Sequence, residues 1–519
     1  MTSTPSEHFQ ETKKLASQLN QAAAARWLLR EGYFPEQYVL PPCFHVSGYS
    51  LRQVPYFPVE INGETHNLKA STSEQALIVL PKSMLTVRDF AIIDPRHYHD
   101  LVFHIIAEWD LVLNHLFHDG LNIFSYSFPI PILRKNPGSI GHLRAGRMIY
   151  EFIEMAEHDL VAEAHKYKFI LMTDISNFYA TIYTHSIAWA LHGKKEARVN
   201  RSSIDSLGKK LDLLIQRSND GCTNGIAVGP AISDLISEIL LAAIDGDCSQ
   251  RLRKDEVDFV GVRFKDDYRF LCQSEDDARK IASTLQQCMK TYNLTLSESK
   301  SETRKLPEGL FRPWKSLYSS LSLRYKYSIL YRLFEATIQS VLAIDSQIPG
   351  TGIIDSFLSE LTSRKQNLKL KLNKKERRRA FNLLLMLREK RPKSFPMVLA
   401  IVEAMLEKYA EDKELAEYVR DSLQQMLKAQ SARPEENQYE IIWLIYFLKF
   451  VLPEKINYEL YSQNPFVNSL VNEKQQFYCD FTDGGFFEMP NLPIPRNHLL
   501  YHLAVFRAKQ ADEETDDEE

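Results

Sequence analysis

Between residues 257 and 278 the chain reads VDFVGVRFKDDYRFLCQSEDDA. Val260, Val262 and Phe264 on one side, and Phe270 and Leu271 on the other, have the alternation and bulk of a half-buried strand pair. Asp266 and Asp267 stand side by side between them. Burying an unpaired carboxylate is expensive, so the acids mark either a turn or a place where the sheet addresses something outside itself. Neighbouring strand residues point to opposite faces, and a tight turn at Asp266-Asp267 is the arrangement that frees one of them to reach a ligand.

The surrounding segments build on this. KFILMTDISNFYATIY is an apolar strand that runs into a turn at Asp174-Ile175-Ser176-Asn177. GIAVGPAISDLISEILLAAID opens on a glycine-rich turn and continues as a helix. After the Asp-Asp segment come the helix DARKIASTLQQCMKTYN and a short strand and turn in LTLSESKSETRKL. Strand, helix, strand, helix, strand is an α+β or α/β order. An Asp closing one strand and an Asp pair in a neighbouring hairpin can present oxygen ligands to two divalent ions about 3.5–4 Å apart, the arrangement used in phosphoryl transfer.

In this order the segments resemble the reverse transcriptase palm. DISNFYATIYTHSI is similar to its first catalytic motif, GIAVGPAISDLISEI to its second, RFKDDYRFL to its third and NLTLSESKSET to its lysine-bearing fourth, over residues 120 to 305. The phrase SNFYATIYTHSIAWALHGK and the helical C-terminal half resemble bacterial abortive-infection and related defence-associated reverse transcriptases. The resemblance implies an α+β fold with a reverse-transcriptase-like domain of N-terminal extension, fingers and palm over residues 1–320. An all-α, helical-repeat-like domain over 321–510 and a disordered acidic tail over 511–519 follow.

Carried over position by position, the resemblance makes Asp174, Asp266 and Asp267 the metal-binding carboxylates for Mg²⁺ or Mn²⁺, and Lys300 the residue near the leaving pyrophosphate. Tyr179 falls where the family sets an aromatic ring against the sugar C2′, which favours dNTPs over NTPs. Gly229 and Ser233 match the second motif, and Arg134, Lys135, Arg144 and Arg147 are candidates for the triphosphate. Val228 stands where many reverse transcriptases carry Gln, and Phe264 replaces the common Tyr of the third motif.

The family implies an anti-phage polymerase in the bacterial cytoplasm, a homo-oligomer that extends single-stranded DNA without a template from a tyrosine hydroxyl. Tyr33, Tyr38, Tyr49 and Tyr56 lie in the irregular N-terminal stretch, tyrosines near the C-terminus compete with them, and the sequence singles out none. Two other readings stay open: templated synthesis with a bound non-coding RNA, and an idle palm acting as a nucleic-acid sensor or scaffold.

Elsewhere the sequence is plainer. Residues 8 to 30 read as one amphipathic helix ending near REGYF, and helical periodicity returns at 96 to 118. The run SRKQNLKLKLNKKERRR, followed by LREKRPK, is the strongest cationic stretch, and its Lys374, Lys375, Arg377 and Arg378 are candidates to track a phosphate backbone. The formal net charge of −4 hides this run, because ADEETDDEE at residues 511–519 holds seven acids. Six cysteines without a CxxC or His-paired spacing read as reduced thiols. With no apolar run of about 20 residues, no membrane span is expected.

Overall fold

The computed structural model describes residues 4–57, 72–82, 86–133, 136–141, 146–199, 206–363, 365–453, 464–478, 481, 485–489 and 494–503, with side chains omitted over 146–152. Arg134, Lys135, Arg144, the side chain of Arg147 and the acidic tail lie outside these descriptions.

Alternating apolar residues build the strands. β1 (Ala76–Pro81) and β2 (Val87–Ile92) form an antiparallel pair. β3 (Ile123–Ser125), β4 (Phe169–Asp174), β5 (Phe259–Phe264), β6 (Asp267–Cys272) and β7 (Glu302–Lys305) make a five-stranded sheet in the order β3-β5-β6-β4-β7. Every pairing in it is antiparallel except that of β3 with β5.

The period of two divides this sheet into two faces. Leu171, Thr173, Tyr268 and Phe270 are buried on one face, while on the face of Asp174 and Asp267 the pair Ile170 and Leu271 is buried and Met172 and Arg269 are partly exposed. Helices Ala231–Lys254 and Glu275–Thr291 pack on each other and on the sheet. The first of them is buried nearly all round, as its apolar run ISDLISEILLAA requires.

The single amphipathic helix expected over residues 8 to 30 is instead two helices, Pro5–Ser17 and Gln21–Arg30, because the Asn20 side chain accepts the Ala23 N–H and starts a new helix. Residues 96 to 118 are helical as expected, in two helices, Pro95–Ala107 and Trp109–Leu116, that meet at Glu108.

The C-terminal half is mainly helical, with helices including Tyr331–Gln347, Ile353–Glu360, Lys374–Lys390, Phe395–Lys408, Lys413–Gln430 and Gln438–Tyr446. It is not all-α, however, since β8 (Ile329–Leu330) pairs in parallel with β9 (Leu370–Lys371). Within NLKLKL, the leucines 368, 370 and 372 turn inward and are buried, so a run read for its lysines has the period of a strand.

The irregular N-terminal stretch docks on these helices. The Tyr439 hydroxyl donates to the Tyr38 carbonyl at 2.9 Å, Trp443 Nε1 donates to Val39 O at 3.3 Å, and His502 Nε2 lies 2.8 and 2.9 Å from the carbonyls of Gln37 and Leu40. No helix among the described residues is long and apolar enough to cross a membrane.

Candidate active site

β4 ends on Asp174, and the antiparallel register sets Asp174 directly opposite Asp267 at the start of β6. Phe264 pairs with Asp267, so the β5–β6 turn consists of Lys265 and Asp266. It lies one residue earlier than the sequence suggested. The backbone N–H of Ile175 donates to the Asp266 carbonyl at 3.2 Å, which ties the end of β4 to the turn. Asp174 and the distant pair Asp266-Asp267 thus share one end of the sheet.

The turn is strained where the sequence gives no hint of it. Lys265 has φ +52°, a left-handed conformation that costs a non-glycine residue about 1 kcal/mol or more. Its surroundings hold it there. Ser127 Oγ accepts the Lys265 N–H at 2.5 Å, Arg263 Nη1 donates to the Lys265 carbonyl at 3.3 Å, and Lys265 Nζ reaches Asp234 at 3.2 Å.

Arg263 is only 1% exposed. Beneath the sheet it donates to Glu238 at 2.8 Å and to Asp245 at 2.9 Å, and Tyr268 adds a hydroxyl to Asp245 at 2.9 Å. Burial pushes the Asp245 carboxyl up to about 6 in spite of Arg263, and burial likewise opposes the Arg263 charge, which Asp245 and Glu238 more than restore.

Lys300 arrives from the 3₁₀ turn Glu298–Lys300 just before β7. Its ammonium lies 2.6 Å from Asp174 Oδ2. Partial burial works against its charge, but the hydrogen bond and charge of Asp174, with Asp267 and Asp266 behind it, raise its pKa overall.

The Asp266 carboxyl is raised by burial and by nearby Asp174. Asp267 is pushed up to about 7 by burial, by Asp266 and by Asp174, whose carboxyl lies within hydrogen-bonding reach. Carboxylates crowded so closely, with one ammonium against them, have the donor chemistry of a hard divalent cation. Among the described residues no group of three or more His, Cys, Asp or Glu side chains is placed to hold a metal ion. The acids are neighbours, and Lys300 sits on one of them.

Tyr179 donates its hydroxyl to Asp234 Oδ1 at 2.5 Å, and Lys265 Nζ lies 6.0 Å from the centre of its ring. Burial, then Asp234, drives the phenol well above its ordinary range. Gly229 has φ +124°, and a Cβ there would lie 3.0 Å from Pro35 and 3.3 Å from Phe90. The Val228 carbonyl accepts the Ala91 N–H at 2.9 Å. The second motif therefore packs against the N-terminal stretch and β2 at this point. Ser233 is buried in the first turn of its helix. Beside the carboxylates opens a cleft of about 530 Å³, lined by Ser176, Thr181, Asn293, Thr295, Leu296, Ser297, Glu298 and Ser299. Its volume falls within the range of small-molecule sites, roughly 300–1,000 Å³.

Sequence reasoning missed Asp234, Lys265, Glu238, Asp245 and Arg263. A signal existed: positions 234, 238 and 245 put acids on one side of an otherwise apolar helix, a pattern that needs a buried cation nearby.

The other candidates are placed differently. Lys374 pairs with Glu414 at 2.9 Å, Arg378 with Glu414 at 3.5 Å, and Arg377 with Asp412 at 2.8 Å while lying over the Tyr409 ring. Lys375 is exposed and makes no ion pair among the described residues. Tyr33, Tyr38 and Tyr49 are core residues at 0%, 6% and 0% exposure, and Tyr56 is half-buried with Arg52 over its ring.

Residues 113–325 match the family described as reverse transcriptase (RNA-dependent DNA polymerase). The chain carries a reverse transcriptase domain. That domain implies a nucleotidyltransferase, and it spans the whole constellation from Ser127 to Lys300. Among solved structures the chain is similar to apo telomerase from Candida tropicalis, at 11% identity and TM-score 0.32, over 68% of this chain and 70% of that one. It is also similar to telomerase from Candida albicans in complex with a TWJ fragment of telomeric RNA, at 13% identity and TM-score 0.28, over 68% of this chain and 64% of that one. Neither superposition adds to the assignment. No curated protein matches the chain.

Proposed function

We propose that the reverse transcriptase domain is an active DNA polymerase that joins dNTPs with Mg²⁺ or Mn²⁺ held by Asp174, Asp266 and Asp267. The observation that carries this reading is the register of Asp174 opposite Asp267 at the Lys265-Asp266 turn, inside a matched reverse transcriptase domain. When bound, the divalent ions would lower the pKa of the attacking hydroxyl and neutralise the triphosphate.

The chain's own residues supply the rest. Lys300 holds its positive charge against Asp174, from where it balances charge on a departing pyrophosphate. The Tyr179 ring, fixed by Asp234, stands against the sugar and disfavours a 2′-hydroxyl. Arg263 and Ser127 hold the turn that presents Asp266.

The finer reading is an anti-phage defence enzyme, working as a homo-oligomer, that starts single-stranded DNA on a tyrosine hydroxyl and extends it without a template. It draws on the similarity of the motif phrase to defence-associated reverse transcriptases. Burial of Tyr33, Tyr38 and Tyr49 turns the search for the priming residue to exposed phenols, among them Tyr325, Tyr327 and Tyr501.

The deciding experiment is labelled-dNTP incorporation by wild type and Asp266→Ala, resolved on a denaturing protein gel after nuclease treatment. Label that comigrates with the protein and disappears in the variant is the expected result. Label only in free DNA defeats protein priming, a product complementary to a copurifying RNA defeats untemplated synthesis, and no incorporation defeats the polymerase reading.

A further inference from the structure

The sequence from residue 309 to 334 contains no acid, yet holds Arg312, Lys315, Arg324, Lys326 and Arg332. Arg312 and Lys315 both pair with Glu157, at 2.5 and 3.2 Å. The other three make no ion pair among the described residues and are exposed. Two of them alternate with aromatic rings in Arg324-Tyr325-Lys326-Tyr327, where Tyr325 is 86% and Tyr327 101% exposed. The Arg324 guanidinium lies 5.9 Å from the centre of the Tyr325 ring. Two neighbouring phenol rings so fully in water forgo the burial that dominates aromatic energetics elsewhere in a fold.

This is not a loosely held tip. The Leu323 N–H donates to Glu360 at 2.6 Å, and Lys369 Nζ donates to the carbonyls of Leu323 and Arg324 at 3.1 Å each. On the far side Ile329 begins β8 against β9, which adds the exposed Lys371 to the same edge. The helix leading in, Pro313–Ser319, is tied through Arg312, Lys315 and Glu157 to Arg269 on the open face of the palm sheet.

We propose that residues 324–327 form a binding platform for single-stranded nucleic acid, with bases stacking on Tyr325 and Tyr327 and phosphates pairing with Arg324 and Lys326. The choice of partner rests on the polymerase reading. The choice of a single strand rests on the rings, since exposed aromatics take unstacked bases of any sequence while interleaved cations follow the backbone.

The test is fluorescence anisotropy of a labelled oligothymidylate with the full chain, over a salt series, without metal or dNTP. Tyr325→Ala with Tyr327→Ala is expected to weaken binding by about tenfold or more and to leave the salt slope unchanged, while the double Phe variant binds as wild type. Arg324→Gln with Lys326→Gln is expected to reduce the log–log salt slope by about 1.4, at ~0.7 for each phosphate that the variant no longer neutralises. Wild-type affinity in the double Ala variant would overturn the proposal. So would sedimentation showing that the same variant breaks up an oligomer, since the rings would then belong to an interface with a second copy. Binding is read without catalysis, so a chain that binds through this loop but incorporates no dNTP would sink the polymerase reading alone.

Discussion

The Tyr179 hydroxyl donates to the Asp234 carboxylate across 2.5 Å, and so a residue of the second motif fixes the ring presented by the first. If that ring excludes the 2′-hydroxyl, discrimination depends on its anchor as well as on its bulk. Tyr179→Ala should lower the ratio of kcat/KM for dNTP over NTP by about 10–100-fold. Asp234→Ala and Tyr179→Phe should each lower it by about tenfold, because a ring free to tilt no longer holds its position. The double variant Asp234→Ala/Tyr179→Phe should match the singles. Additive losses would mean the two residues act separately.

Crowding of the acids predicts opposite effects on activity and stability. Asp267→Asn should cut dNTP incorporation by about 10²-fold or more. In metal-free buffer at pH 8 the same variant should unfold at a temperature equal to or above that of wild type, because one of three repelling charges is gone. Added Mg²⁺ should stabilise wild type more than the variant in the same thermal melts.

Arg263 is the counter-charge for two buried acids and a clamp on the strained turn. Arg263→Gln leaves Glu238 and Asp245 facing each other without a cation and should cost about 3–5 kcal/mol in urea unfolding. Replacing all three by apolar residues should recover part of that loss while leaving incorporation low, since Lys265 loses its carbonyl partner.

The junction between the two ends of the chain should be acid-labile. His502, which lies against the carbonyls of Gln37 and Leu40 at this junction, is driven down to about 4, chiefly by burial, and so is His104 within the helix Pro95–Ala107. Between pH 6.5 and 4 the unfolded chain binds protons at these residues that the folded chain refuses, so stability is complete above 6.5 and falls as pH drops towards 4. At ~1.4 kcal/mol per pH unit the loss is up to about 3 kcal/mol for each residue. Urea midpoints between pH 7.5 and 4.5 should show it, and His502→Asn should flatten the slope.

The sequence carried the local part of this architecture. β4 closing on Asp174 and the β5–β6 hairpin could be read because period-two apolar patterns and a break between them are short-range signals. The turn was misplaced by one residue because Lys265 adopts a left-handed φ through hydrogen bonds to Ser127 and Asp234, 138 and 31 positions away. β3 escaped notice for the same reason: three residues become a strand by pairing in parallel with β5 far downstream. The lysines and arginines from 374 to 378 looked like free charge, since their partners Glu411, Asp412 and Glu414 lie more than thirty residues further along the chain.

Pro35 fills the space beside Gly229, and four residues later the same strand of backbone is gripped by Trp443 and His502. The glycine turn that opens the long palm helix is therefore braced from behind by the last described segments of the polypeptide. A version trimmed after residue 320 would bare Tyr38 and Val39 and let that brace go slack, so the half that carries the three carboxylates is not a detachable module.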